Sequence, residues 1–242
     1  MERGFVDDAR REVAIRARLS PPSTWYHGQA MDHAARAAHQ SGDYAAAAAI
    51  HERNLLRLLP TSSGYRSSGG YMRMTGLIHA LRAKALLAAG KKDEAFRELD
   101  RARQMHPTHL ETPILLVADL EKAGEADRAG KLFNEIYTAL EQASREYPAC
   151  ADAHNQLAWL SARCRRRLDE ALIHSQKAVE LSPLVPSYRD TLAEVYFQRG
   201  DTAKAIELMK TCLKMPSANV GFYRQQLARF EKGDPKSEPA EE

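Results

Sequence analysis

Apolar and polar positions along this chain follow the period of an amphipathic helix, and one short pattern keeps returning. In residues 186–215, PSYRDTLAEVYFQRGDTAKAIELMKTCLKM, the apolar Leu192, Ala193 and Tyr196 share a helical face, Gly200 follows, and Ala205 opens a second apolar stripe. A Gly followed five residues later by an Ala occurs again at Gly124/Ala129, Gly90/Ala95 and Gly42/Ala47. Gly90 and Gly124 are 34 residues apart, as are Ala171 and Ala205, and helical segments with such a period build stacked helix-turn-helix units. Gly at the turn supplies the left-handed conformation that ends a helix, and Asp43 or Asp201 just after it is placed to cap the next one. A single hairpin of this kind is half a core, so its stability must come from stacked neighbours.

The framework resembles that of the tetratricopeptide repeat (TPR) family. Leu192, Ala193, Tyr196, Gly200 and Ala205 match its pattern, as do Leu116, Leu120, Gly124, Ala129 and Phe133, and Ala83, Leu86, Gly90, Ala95, Leu99, Ala102 and Pro107. A fourth unit keeps Leu157, Ala158, Ala171, Ala178 and Pro183 but lacks the turn Gly and carries one extra residue within 161–168; a first keeps Ala35, Gly42, Tyr44 and Ala47. The resemblance covers residues 28–215 and implies an all-α fold, an α-α solenoid wound as a right-handed superhelix of about five hairpins with terminal capping helices. The hairpins are expected at 28–60, 71–107, 110–148, 151–183 and 186–216, within a solenoid over 23–232. Arg82 stands where the family usually has Leu.

Composition agrees with this class. The 242 residues are 44% hydrophobic and 28% charged, with much of the apolar share in Ala and Leu, which favour helix. With 35 basic and 32 acidic side chains the net charge is +3, too balanced to point to nucleic acid. Cys150, Cys164 and Cys212 are too few for a disulfide framework and suit a reducing compartment. The first twenty residues lack the hydrophobic stretch of a secretory signal, and no apolar run reaches bilayer length, so the expectation is a cytoplasmic protein without membrane contact.

Outside the repeats, residues 5–19 read as a basic amphipathic helix stopped by Pro21-Pro22, so that 1–22 form a helix and linker that shield one end of the array. The Gly/Ser-rich stretch 60–70 breaks the period and reads as a loop, and eight extra residues before Pro148 lengthen the second helix of unit three. Residues 219–232 carry Phe222, Tyr223, Leu227 and Phe230 on one face as a capping helix, with Arg229 elsewhere on it; 233–242 is an acidic tail expected to be disordered.

The chain carries no P-loop, GxGxxG, GxSxG or CxxC motif, which argues against an enzyme and gives no reason to expect a cofactor. Cys150 and His154 have the four-residue spacing of a metal-ligand pair, but with no second pair they read as core residues. The run Arg163-Cys164-Arg165-Arg166-Arg167 lies at the irregular turn of unit four and reads as a solvated turn, with contact to phosphate groups or an acidic partner as the alternative. By the TPR resemblance, the first helix of each hairpin lines a concave groove. The residues implied to face it are Asp32, Arg36, Lys84, Ile114, Glu121, Asn155, Trp159, Asp190, Glu194 and Phe197. The function implied is a non-catalytic scaffold that holds a peptide segment or partner helix of another protein. The alternative is a regulatory sensor that responds to a ligand or peptide.

Overall fold

The computed structural model describes residues 15, 25–58, 68–216 and 219–235. The helix expected over 5–19, most of the loop expected over 60–70 and the tail from 236 on fall outside them, Ile15 aside. Among the described residues all regular structure is helical, in eleven helices: α1 Trp25–Gln40, α2 Tyr44–Leu58, α3 Ser68–Ala88, α4 Lys92–Met105, α5 Glu111–Lys122, α6 Ala126–Glu146, α7 Ala151–Cys164, α8 Leu168–Leu181, α9 Pro186–Gln198, α10 Thr202–Cys212 and α11 Val220–Lys232. Two departures from the expected bounds matter. Ser68, Gly69 and Gly70 belong to the first turn of α3 rather than to a loop, and α6 runs for 21 residues where α4 and α8 have 14, which absorbs the long spacing before Pro148.

The same turn joins the helices of four of the five pairs. Gly42, Gly90, Gly124 and Gly200 all have φ between 74° and 89°, a region that costs a residue with a Cβ about 1–2 kcal/mol. Each turn closes with the same backbone bond, from the N–H after the glycine to the carbonyl five residues back: Asp43 to Ala38, Lys91 to Leu86, Glu125 to Leu120 and Asp201 to Tyr196. Asp43 then accepts from the Ala46 N–H at 2.9 Å and Asp201 from the Lys204 N–H at 3.2 Å, so both carboxylates cap the helix that follows.

The chain forms two compact units, Met1–Ala129 and Gly130–Glu242, with the division inside α6. In the first, α1 packs on α2, α2 on α3, and α3 on both α4 and α5. Ala47, Ala48, Ile78 and Leu81 make a buried cluster there, flanked by Tyr44, Leu55, Met74, Leu77 and Leu115. Arg82, the residue out of pattern, leaves the core to Leu81 and pairs with Glu52 at 2.7 Å. In the second unit α7 packs on α8, α9 on α7, α8 and α10, and α11 on α10. A buried cluster there joins Ala193, Phe197, Ala205, Met209 and Cys212 to Phe222, Tyr223 and Phe230 of α11.

Ala47, Ala95, Ala129, Ala171 and Ala205, each one turn into the second helix of its pair, are at most 1% exposed. A small side chain there lets paired helices approach closely, and a larger one has no room. Ala205→Leu is expected to destabilise the protein by about 1–3 kcal/mol in urea unfolding, whereas Ala203→Leu, two residues away on the exposed side, leaves the midpoint unchanged. Equal midpoints for the two variants would contradict this packing.

Candidate interaction surface

The helices that open each hairpin hold the residues implied to face a groove, and their surroundings differ sharply. In the first unit, Asp32 on α1 accepts from Asn54 Nδ2 of α2 at 3.0 Å, and Arg36 one turn on is exposed. Ile114 and Glu121 on α5 are half-buried and exposed respectively. Lys84 is no open cation. It is 9% exposed, its Nζ donates to Asp119 Oδ2 at 2.6 Å and to the Leu115 carbonyl at 3.0 Å, and it sits 4.8 Å from the centre of the Tyr44 ring. It pins α3 to α5.

In the second unit Asp190, Glu194 and Phe197, expected on an open groove, lie beneath α11. Glu194 is 0% exposed and takes two hydrogen bonds from the Arg229 guanidinium, at 2.5 and 2.9 Å, while Gln198 Nε2 adds a third at 2.8 Å. Gln226 Nε2 donates to Asp190 at 3.2 Å, and the Phe197 and Phe230 rings meet at 4.6 Å with the Arg229 guanidinium 5.0 Å from the first. Their role is corrected from ligand contacts to the seat of the capping helix, and Arg229, expected on its outer side, is a buried member of that seat. The physical reason is that a carboxylate at a groove position stays buried only when a cation is delivered to it, and α11 delivers one. Lys84/Asp119 and Glu194/Arg229 are each 35 residues apart, so one register locks first helices in both units with the signs exchanged.

Asn155 and Trp159 on α7 remain. They are one turn apart on one face, both half-buried. Asn155 Oδ1 is buried and accepts no hydrogen bond among the described residues, while the Arg163 guanidinium lies 5.5 Å from the centre of the Trp159 ring.

The Arg-rich turn is pinned by side-chain contacts although Arg165 and Arg167 are exposed, as a solvated turn implies. Arg165 takes the left-handed position that Gly holds elsewhere, with φ 53°, and Arg167, just before α8, is left-handed too, with φ 51°. Arg165 donates to Gln198 at 3.1 Å and to the Pro235 carbonyl at 2.8 Å. Arg166 and Arg167 lie 5.3 and 4.3 Å from the ring centres of Phe133 and Tyr137, and Tyr137 donates to Glu170 at 2.7 Å. Burial, with the Glu170 carboxylate beside it, pushes the Tyr137 hydroxyl up to about 12. Arg165→Val is expected to destabilise by about 1–2 kcal/mol, because a β-branched side chain tolerates φ near 53° worst, and Arg165→Gly by less. Thermal melts of the two variants check this; the reverse order would refute the left-handed turn.

Among the described residues no group of three or more His, Cys, Asp or Glu is placed to hold a metal ion. His154, the partner of Cys150 in the metal-spaced pair, turns both ring nitrogens to the protein, to His174 and to the Pro148 carbonyl. No described helix is long and apolar enough to cross a membrane.

The fold is a TPR-like array of helix hairpins. No protein-family model matches the chain, and no curated protein does. Among solved structures it is similar to TTC0263, a thermophilic TPR protein of Thermus thermophilus, at 19% identity over 85% of this chain and 98% of that one, with a TM-score of 0.45. It is also similar to MamA of Desulfovibrio magneticus RS-1, at 19% identity over 69% of this chain and 93% of that one, with a TM-score of 0.32. Sequence reasoning missed the polar locks under α11 and between α3 and α5. Their signal was present as opposite charges one repeat and one residue apart.

Proposed function

We propose that the chain is a protein-interaction module that takes a peptide segment or partner helix of another protein on the α7 face of its second unit. The observation that carries this reading is that Asn155 and Trp159, one turn apart on α7, stay half-buried where the matching Asp190 and Glu194 of α9 are sealed by α11. Asn155 Oδ1 accepts no hydrogen bond among the described residues, and a turn of its side chain toward a partner's backbone N–H would give this costly buried acceptor a donor. Trp159, one turn along, offers a large half-buried aromatic surface for an apolar side chain of the same partner. Arg36, Ile114 and Glu121 are the implied groove residues left accessible in the first unit, and they stand as secondary candidates there.

Asn155→Ala separates binding from folding. Removing an acceptor that has no donor leaves the melting temperature unchanged or raised, whereas partner capture falls; Trp159→Ala lowers capture at unchanged helical circular dichroism. If both variants capture the same partners in the same amounts as the unmodified protein, α7 is not the surface. If Arg166→Ala with Arg167→Ala instead removed capture at unchanged stability, the Arg-rich turn would take its place.

A further inference from the structure

Two imidazoles in the fourth hairpin face each other nitrogen to nitrogen. His154 on α7 is 8% exposed, its Nδ1 lies 2.8 Å from Nδ1 of His174 on α8, and the rings stack at 5.1 Å. Its Nε2 is 3.1 Å from the carbonyl oxygen of Pro148, in the turn between α6 and α7. That carbonyl can only accept, so His154 Nε2 carries a hydrogen. Neutral His154 therefore presents a lone pair at Nδ1, and the hydrogen between the rings belongs to His174 Nδ1.

We propose that His154 and His174 form a one-proton latch that ties α7 to α8 and to the Pro148 turn, and that acid opens it in two steps. The first added proton goes to His174 Nε2. It leaves the bond between the rings in place, since the His174 imidazolium still donates from Nδ1. The second has only His154 Nδ1 to occupy, and two N–H groups then point at each other across 2.8 Å, so the rings must part. The charged groups that bear on the pair are Glu141 from α6, itself paired with Arg145, and Glu170 from α8, shared by Tyr137 and Arg167. From α9, Tyr188 bears on Cys150 and Asp152 at the start of α7.

Burial and the neighbouring His154 hold His174 below the usual histidine range, against the pull of the two carboxylates. The unfolded chain protonates near 6.5, above folded His174, so His174 contributes stability above that pH and loses it on acidification. His154 adjoins Asn155, so an open latch also disturbs the α7 face; that consequence rests on the interaction reading, whereas the latch does not.

Long-range proton–nitrogen NMR on the full chain reads the tautomers directly. At pH 7.5 His154 is expected as the Nε2–H form and His174 as the Nδ1–H form. On acidification His174 Nε2 is expected to titrate before His154 Nδ1. An Nε2–H form of neutral His174, or His154 titrating first, would overturn the proposal. The companion experiment is His174→Asn, whose amide N–H replaces the Nδ1 donor without a charge. Between pH 7 and 5 the folding constant of the unmodified protein is expected to fall more steeply than that of His174→Asn, tenfold for each pKa unit by which His174 resists its proton. Parallel curves would also overturn it. Should the variant not fold, the tautomers in the unmodified protein decide.

Discussion

Arg229→Met is expected to destabilise the protein by about 3–5 kcal/mol, far beyond what a surface arginine contributes, since truncating one member of a buried ion pair strands the other. The basis is that Glu194 is 0% exposed and Arg229 holds both of its oxygens. With the guanidinium gone, the carboxylate retains only the Gln198 amide, at 2.8 Å, and must either stay charged in an apolar seat or take up a proton. Equilibrium urea unfolding measures the loss. The double variant Glu194→Leu with Arg229→Met removes both charges together and is expected to recover most of it, because the penalty lies in the uncompensated charge and not in the absence of a salt bridge. A single variant that melts like the unmodified protein would mean that α11 is not seated on α9 in solution.

The second large effect is acid sensitivity in the first unit. His109 is 5% exposed, its Nδ1 lies 3.1 Å from Thr112 Oγ1, and burial first, then the charges of His106 and Arg73, brings it down to about 4. The unfolded chain binds a proton at His109 near 6.5 while the folded chain does so only near 4. Stability is therefore complete above pH 6.5 and drains away as the pH falls through this window, by up to about 3 kcal/mol. Urea midpoints taken at pH 7 and at pH 4.5 are expected to differ by less in His109→Asn than in the unmodified protein. An equal difference would show that His109 titrates normally in the folded state. His174 adds an acid-linked loss of its own in the second unit, and His109→Asn leaves that contribution untouched.

The repeat was legible in the chain because its marks are local. A glycine at the turn, an alanine five residues on and an apolar stripe between them state their own conformations, and the turns at Gly42, Gly90, Gly124 and Gly200 adopt the left-handed geometry that such a glycine implies. Even the irregular fourth turn announced its extra residue, and two residues of that turn, Arg165 and Arg167, are left-handed. The groove was less legible, since position on a helix does not say what lies over it. Asp190 and Asn155 occupy corresponding places on α9 and α7 within their repeats' first helices, yet one is sealed by α11 and the other keeps an acceptor without a donor. Lys84 likewise reads as an exposed cation until Asp119, a repeat away, is seen to reach it. The Arg-rich run is exposed at Arg165 and Arg167, as expected, but its contacts were hidden for a related reason. Its partners, Phe133, Tyr137 and the Pro235 carbonyl, are distant in sequence, so their contacts leave no local trace.

The claim that α7 carries the interaction surface is tested most directly by photo-crosslinking from single positions of the full chain, with Trp159→p-benzoylphenylalanine set against Ile173→p-benzoylphenylalanine. Ile173, on α8, is 66% exposed and gives a probe on the second helix of the same hairpin. The account predicts a discrete adduct with one partner protein from position 159, lost when Asn155→Ala is added, and none from position 173. An adduct from position 173 with none from 159 would contradict it.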